Sequence, residues 1–219
     1  MKSGGVPEDE WVMFLIEWFL YLGVAAAGIS GALVGIKKEL DFFGVLFLGG
    51  ATALGGGFIR DVLIGNVPPL GFLNPSYFWV STAAGLLTWI FYTRIDRLRM
   101  VILVSDAIGL GVFTAVGADS AVKFGFHEPF LVVSMGLITG IGGGVLRDVF
   151  VKEVPFVFRK EVYAIASIVG AACYYYASGA LPTIGAMFLC LIVTFVIRIG
   201  SILLKIDFPV YRENKPGPQ

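Results

Sequence analysis

The sequence predicts an all-α membrane protein of seven transmembrane helices, an inverted repeat of three plus three with a seventh helix added, and with helices two and five broken at a glycine triplet. Three observations lead there. Hydrophobic residues make up 57% of the 219 and charged residues 15%, with a mean hydropathy of +0.86, more apolar surface than a soluble fold of this length can bury. Apolar runs of about 18 to 26 residues recur along the chain, each close to the ~20 needed to cross ~30 Å of hydrocarbon as helix. Finally, GGGFIRD at residues 55–61 returns as GGGVLRD at residues 142–148. An offset of 87 superposes Gly55, Gly56 and Gly57 on Gly142, Gly143 and Gly144, Arg60 and Asp61 on Arg147 and Asp148, Thr52 on Thr139, and Pro68 on Pro155.

Lys plus Arg and Asp plus Glu cancel at 16 each, so no global field points to nucleic acid, and the electrostatic message lies in where the charges sit. Cys173 and Cys190 lie in apolar runs and read as small core residues rather than a disulfide. The start MKSGGVPEDE is acidic and the apolar run after it is too long for a cleavable leader.

Taken in order, residues 11–36 form the first run, interrupted only by Glu17. Gly23, Ala27, Gly31 and Gly35 line one of its faces at four-residue spacing, where another helix can approach closely. The charged turn KKELD leads to the second run, residues 42–59, which extends past Arg60 to Gly65. Pro68, Pro69, Gly71 and Pro75 then require a loop. Residues 76–93 are the third run, with Tyr77, Trp79, Trp89 and Tyr92 near its ends as an aromatic belt. RIDRLR closes the first half. Residues 100–122 are the fourth run, with Asp106 well inside, and residues 129–146 the fifth, duplicating the second. Residues 162–181 are the sixth, free of charge; residues 182–204 are the seventh, marked by Arg198. The polar end of the chain reads as a tail. The whole is one transmembrane domain, residues 1–204, with repeat one at 11–93, repeat two at 100–181, the extra helix at 182–204 and a cytosolic tail at 205–219.

Seven spans place 13 of the 16 Lys and Arg residues at one face, leaving Lys2, Arg60 and Lys123 at the other. The positive-inside rule then puts the N-terminus outside and the C-terminus in the cytosol. A three-span repeat followed by its own copy enters the bilayer from the opposite side the second time, so the halves are related by a pseudo-two-fold axis in the membrane plane. The unduplicated seventh helix and the small-residue face of the first are the candidates for subunit contacts.

Three successive glycines weaken a helix by about 3 kcal/mol relative to alanine, so each triplet is expected to break its helix. Groups freed in this way must face protein or a water-filled cavity, and two breaks meeting at a pseudo-axis would line a pathway. Carbonyl oxygens and the hydroxyls of Thr52 and Thr139 present negative partial charge, which suits a cation. The alternative is that the glycines serve close helix packing alone.

Matching depths in the two halves pair Glu17 with Arg60 and Asp106 with Arg147, as gating or as structural bridges. Asp61 and Asp148, about 100° round the helix from the arginines, are expected to cap the pathway mouths or meet the interface. His127, beside Glu128, reads as a solvated loop residue. No nucleophile-base constellation, metal-spaced cluster or nucleotide fingerprint is present, so the sequence does not read as an enzyme.

The doubled GGGxxRDxxxxxxP pattern, DAIGLG at residues 106–111 and the three-plus-three-plus-one count resemble the prokaryotic trimeric intracellular cation channels and the related bacterial membrane family named for glycine transport. The resemblance spans residues 11–204. It implies kinks at Gly55 to Gly57 and Gly142 to Gly144, a pore within each subunit of a homotrimer in membrane lipid, and potassium, with sodium passing less selectively, as the permeant ion. It implies no cofactor and no metal beyond that ion. The same inverted repeat would also support a secondary transporter for a small solute such as glycine.

Overall fold

The computed structural model describes residues 8–94, 98–159 and 162–206. The expected tail from residue 207 onward, and Lys2, Arg97, Lys160, Arg212 and Lys215 from the charge count, lie outside the described residues. Among the described residues all regular structure is helical. The order is α1 (Glu8–Lys37), α2 (Phe42–Leu63), a one-turn α3 (Leu70–Leu73), α4 (Pro75–Phe91) continuing into a 3-10 turn at Tyr92–Arg94, α5 (Leu98–Lys123), α6 (Pro129–Phe150), a one-turn α7 (Phe156–Arg159), α8 (Val162–Ala177) and α9 (Thr183–Leu203).

Local chemistry sets several of these boundaries. Asp41 caps α2, its carboxylate accepting from the Gly44 amide at 2.7 Å, and Asn74 caps α4 just ahead of Pro75, whose fixed φ suits a first helical position. After α2 the chain turns through Gly65 at φ +78°, and after α5 through Gly125 at φ +85°, conformations that cost glycine least. The corresponding turns of the other half use Lys152 at φ 56° and Glu39 at φ 58°. The loop geometry is therefore duplicated where the residue type is not.

Among the described residues five helices are long and apolar enough to cross a membrane: Trp11–Lys37, Phe42–Leu63, Leu98–Lys123, Pro129–Phe150 and Thr183–Leu203. The third element of each repeat falls short, α4 at 17 residues and α8 at 16. At 1.5 Å per residue α8 is about 24 Å long. The seven-span expectation therefore overstates the regular length of these two, because the last residues of each apolar run are given to the turn after it, 92–94 in the first half and 178–180 in the second.

The expected breaks are also absent: helical structure runs without interruption through Gly55–Gly57 in α2 and Gly142–Gly144 in α6. Their glycines serve a helix crossing instead. A Cβ on Gly56 would collide with the Thr139 carbonyl oxygen, and one on Gly143 with that of Thr52. As Thr52 lies against Gly143 and Gly56 against Thr139, the two helices run antiparallel across each other.

The rest of the packing follows the same two-fold pattern. α1 packs on α2 and α4 as α5 packs on α6 and α8, and the halves join through α1 against α5 and α2 against α6. α9, which has no counterpart in the first half, lies mainly on α5 and α8. The small-residue face of α1 is used inside the chain: Gly23 meets Val112 of α5, and Gly31 meets Leu48 and Thr52 of α2. It is thus not left for a second subunit. Lys38 pairs with Glu153, and the Tyr175 hydroxyl donates to the His127 carbonyl at 3.1 Å. Alternate helix ends thereby gather at opposite ends of the bundle.

Candidate functional site

The α2–α6 crossing is the centre from which the site is built. Each position of the triplet has a reciprocal contact. Gly55 faces Leu146 as Gly142 faces Ile59; Gly56 and Gly143 exchange backbone contacts; and Gly57 and Gly144 each lie near the guanidinium one turn on, Arg60 and Arg147. The hydroxyls of Thr52 and Thr139 donate back to the carbonyls of Leu48 and Met135, both at 2.6 Å. Both threonines are buried.

On each side of the crossing sits a buried Arg-Asp pair. Arg60 is 5% exposed and Arg147 4%. Adjacent helical residues point about 100° apart, yet each arginine curls back: Arg60 Nε and Nη2 donate to Asp61 Oδ1 at 2.8 and 2.7 Å, and Arg147 Nε donates to Asp148 Oδ1 at 2.9 Å. The second oxygen of each aspartate accepts from the first amide of the following one-turn helix, Leu70 N at 2.7 Å and Phe156 N at 2.8 Å. Both aspartates are buried. They tie the arginine to the chain end of the next element and satisfy an amide that a helix start leaves open. In backbone terms Pro69 precedes α3 as Pro155 precedes α7, their carbonyls accepting from Phe72 and Phe158. The structural counterpart of Pro155 is thus Pro69 rather than Pro68, because the first loop carries one extra residue.

Here the halves diverge. Arg147 Nη1 also donates to Asp106 Oδ1 of α5 at 2.6 Å and to Ser30 Oγ of α1 at 2.8 Å, so the Asp106–Arg147 contact drawn from symmetry is present. The Tyr163 hydroxyl of α8 and Asp106 Oδ1 both lie within 4 Å of where a Cβ on Gly144 would sit. Above it Arg198 of α9 lies over two rings, 4.8 Å from Tyr163 and 5.0 Å from Phe156. Two arginines and two aspartates, joined by aromatic faces and hydroxyls, close this side of the crossing.

The Arg60 side is different. Glu17 is exposed and accepts from the Tyr21 hydroxyl at 2.6 Å, and Arg60 pairs with Asp61, so the expected Glu17–Arg60 contact is not made. Position 17 lies on an outward-facing part of α1, whereas the α1 residues that share a pocket lining with Arg60 are Leu20 and Val24. In place of a cluster there is a cavity of ≈ 40 Å³, lined by Arg60, Asp61 and Gly57 with Leu20, Val116, Tyr77 and other apolar side chains.

Sequence reading overlooked Ser30, Tyr163 and the role of Arg198. Arg198 was findable as the one charge in the seventh run, and Tyr163 as the match of Tyr77 at an offset of 86. Ser30 gives no such signal. Asp119 was also passed over; it is 5% exposed, and receives the Tyr174 hydroxyl at 2.8 Å and Lys123 at 2.7 Å.

A family model described as glycine transporter matches the chain twice, over residues 17–93 and 103–179. The UPF0126 inner membrane protein YadS of Escherichia coli is 36% identical over 208 residues, covering 93% of this chain and 99% of that one. A structure solved to explain conductance through TRIC cation channels is similar at a TM-score of 0.82 and 37% identity, covering 91% of this chain and 98% of that chain. The TRIC trimeric intracellular cation channel orthologue from Rhodobacter sphaeroides is similar at a TM-score of 0.82 and 29% identity, covering 87% and 98% respectively.

Proposed function

This chain belongs to the TRIC channel family, in the branch matched by the glycine transporter model, and we propose that it is a passive monovalent cation channel of a bacterial plasma membrane. Seven helices cross the bilayer in this reading, α4 and α8 being the two shorter crossings, with the N-terminus outside and the C-terminus in the cytosol. The assembly is a homotrimer in lipid, like the trimeric channel orthologue of Rhodobacter sphaeroides, with a pathway inside each subunit and potassium as the principal permeant ion.

The observation that carries this reading is the glycine crossing flanked on both sides by buried Arg-Asp pairs, since ionisable groups at membrane depth are costly and mark ion pathways. The conformation is shut, because the backbones of α2 and α6 touch. Opening parts the two helices. Doing so uncovers the carbonyl oxygens of Thr52 and Thr139, each with a lone pair beyond its intrahelical bond, and supplies the oxygen field a dehydrating cation needs. Arg60 is neutralised by Asp61, and Arg147 by Asp106 and Asp148, so neither end opposes a cation with uncompensated positive charge. The Arg147 cluster, which joins α1, α5 and α6, holds the closed arrangement.

A second reading, rocking transport of a small solute such as glycine, is favoured by the description of the matching family model. Reconstitution separates the two. Discrete current steps in a planar bilayer, reversing at the potassium potential under a potassium gradient, are expected. Saturable glycine uptake into vesicles without such steps would replace the channel with the transporter.

A further inference from the structure

The two arginines of the repeat divide their guanidinium groups in the same way up to the last donor. Nε of each binds the adjacent aspartate. Nη1 of Arg147 then takes the Asp106 carboxylate at 2.6 Å and the Ser30 hydroxyl at 2.8 Å. Nη1 of Arg60 has no acceptor among the described residues and is not among the fully enclosed polar atoms without a partner, so it is left to the cavity that Arg60 lines.

An offset of 86 relates α1 to α5: Gly31 contacts the Thr52 hydroxyl as Gly117 contacts that of Thr139. Under it the counterpart of Asp106 is Leu20 and that of Ser30 is Val116, and both line this cavity. The cavity therefore lies where the second half keeps a carboxylate and a hydroxyl.

We infer that the Arg60 cavity is a binding site for a small carboxylate, whose head group takes the place beside Arg60 that Asp106 takes beside Arg147. The volume of ≈ 40 Å³ is roughly three water-sized positions, which suits formate, or acetate with its methyl group among Leu20, Val24 and Val116. A longer aliphatic acid exceeds this volume. The Arg60-Asp61 pair is neutral and the lining holds no second cation, whereas the Arg147 cluster has Arg198 nearby. Binding is accordingly expected at millimolar concentrations.

The test uses the purified full-length protein in detergent, unfolded by heat in a series of sodium acetate concentrations against sodium chloride at matched ionic strength. A saturable rise in Tm of about 3 °C in acetate is expected, matched by formate and missing with butyrate. Val116→Phe, which fills the cavity, should abolish the increment. Leu20→Asp, which supplies the carboxylate from the chain, should raise Tm in chloride and be indifferent to acetate. A rise equal in chloride, one that never saturates, or one that survives in Val116→Phe would overturn the site, whether or not the protein conducts.

Discussion

Leu20 and Asp106 occupy the same place in the two halves of this chain, one beside Arg60 at the edge of a cavity, the other 2.6 Å from Arg147. One half thus secures its arginine with a carboxylate from a neighbouring helix, and the other relies on Asp61 alone.

Removing these carboxylates should have unequal effects. Asp61→Asn leaves a buried arginine without its ion pair and weakens the acceptor for the Leu70 amide, and is expected to destabilise by about 3–5 kcal/mol. Asp106→Asn leaves Arg147 with Asp148 and should cost less, on the order of 2 kcal/mol. Thermal unfolding in detergent, with both variants in one buffer, gives the ranking; the reverse order would mean that Asp106 is the main counter-charge of the fold.

The three glycines of each triplet should not be equivalent. Gly56→Ala and Gly143→Ala push a methyl group into a carbonyl oxygen of the facing helix and are expected to cost at least about 1–3 kcal/mol each. In Gly57→Ala the nearest atom lies 3.9 Å away, and the better helix propensity of alanine should stabilise by up to about 1 kcal/mol. Equal melting temperatures for the Gly56 and Gly57 variants would contradict the crossing described above.

Arg198 stacks on Tyr163 and Phe156 through its planar guanidinium. Arg198→Lys keeps the charge but loses the stack, and a loss of about 1–2 kcal/mol is expected, as cation–π contacts in desolvated settings contribute at that scale. Hydrogen exchange should rise over α7 and the start of α8 while α3 and the start of α4 stay as they are. Faster exchange at both ends alike would point to general loosening instead.

The Lys38–Glu153 pair joins the α1–α2 turn to the turn after α6, but both side chains are more than a third exposed. Such pairs contribute within about 1 kcal/mol. Lys38→Ala should therefore shift Tm little at low salt and not at all in 0.5 M salt, where the Debye length is a few ångströms; a large loss independent of salt would show that the contact is more than a surface bridge.

Legibility varied with the kind of feature. Residence in a membrane, the doubled motif and the starts of α2 and α6 could be read from residues 1–219, because hydropathy, period and capping act over a few neighbouring residues. The pairing of Asp106 with Arg147 followed from depth along two helices. Glu17 failed by the same method, since depth says nothing about which way a residue faces, and three positions further on is Leu20, which does line the Arg60 cavity.

By itself, the sequence determined that the chain is apolar enough for a bilayer, that it is made twice over, and that each copy carries glycines and an Arg-Asp pair at the same position of the repeat. Only the tertiary structure decided what they do. The triplets stay helical because the facing helix approaches to backbone contact; Gly65 and Glu39 find partners in Lys152 and Gly125 through backbone conformation alone; and Arg147 gains a cluster where Arg60 borders a cavity. These outcomes depend on how neighbouring helices rotate and how closely they approach, and side chains distant in the chain set both.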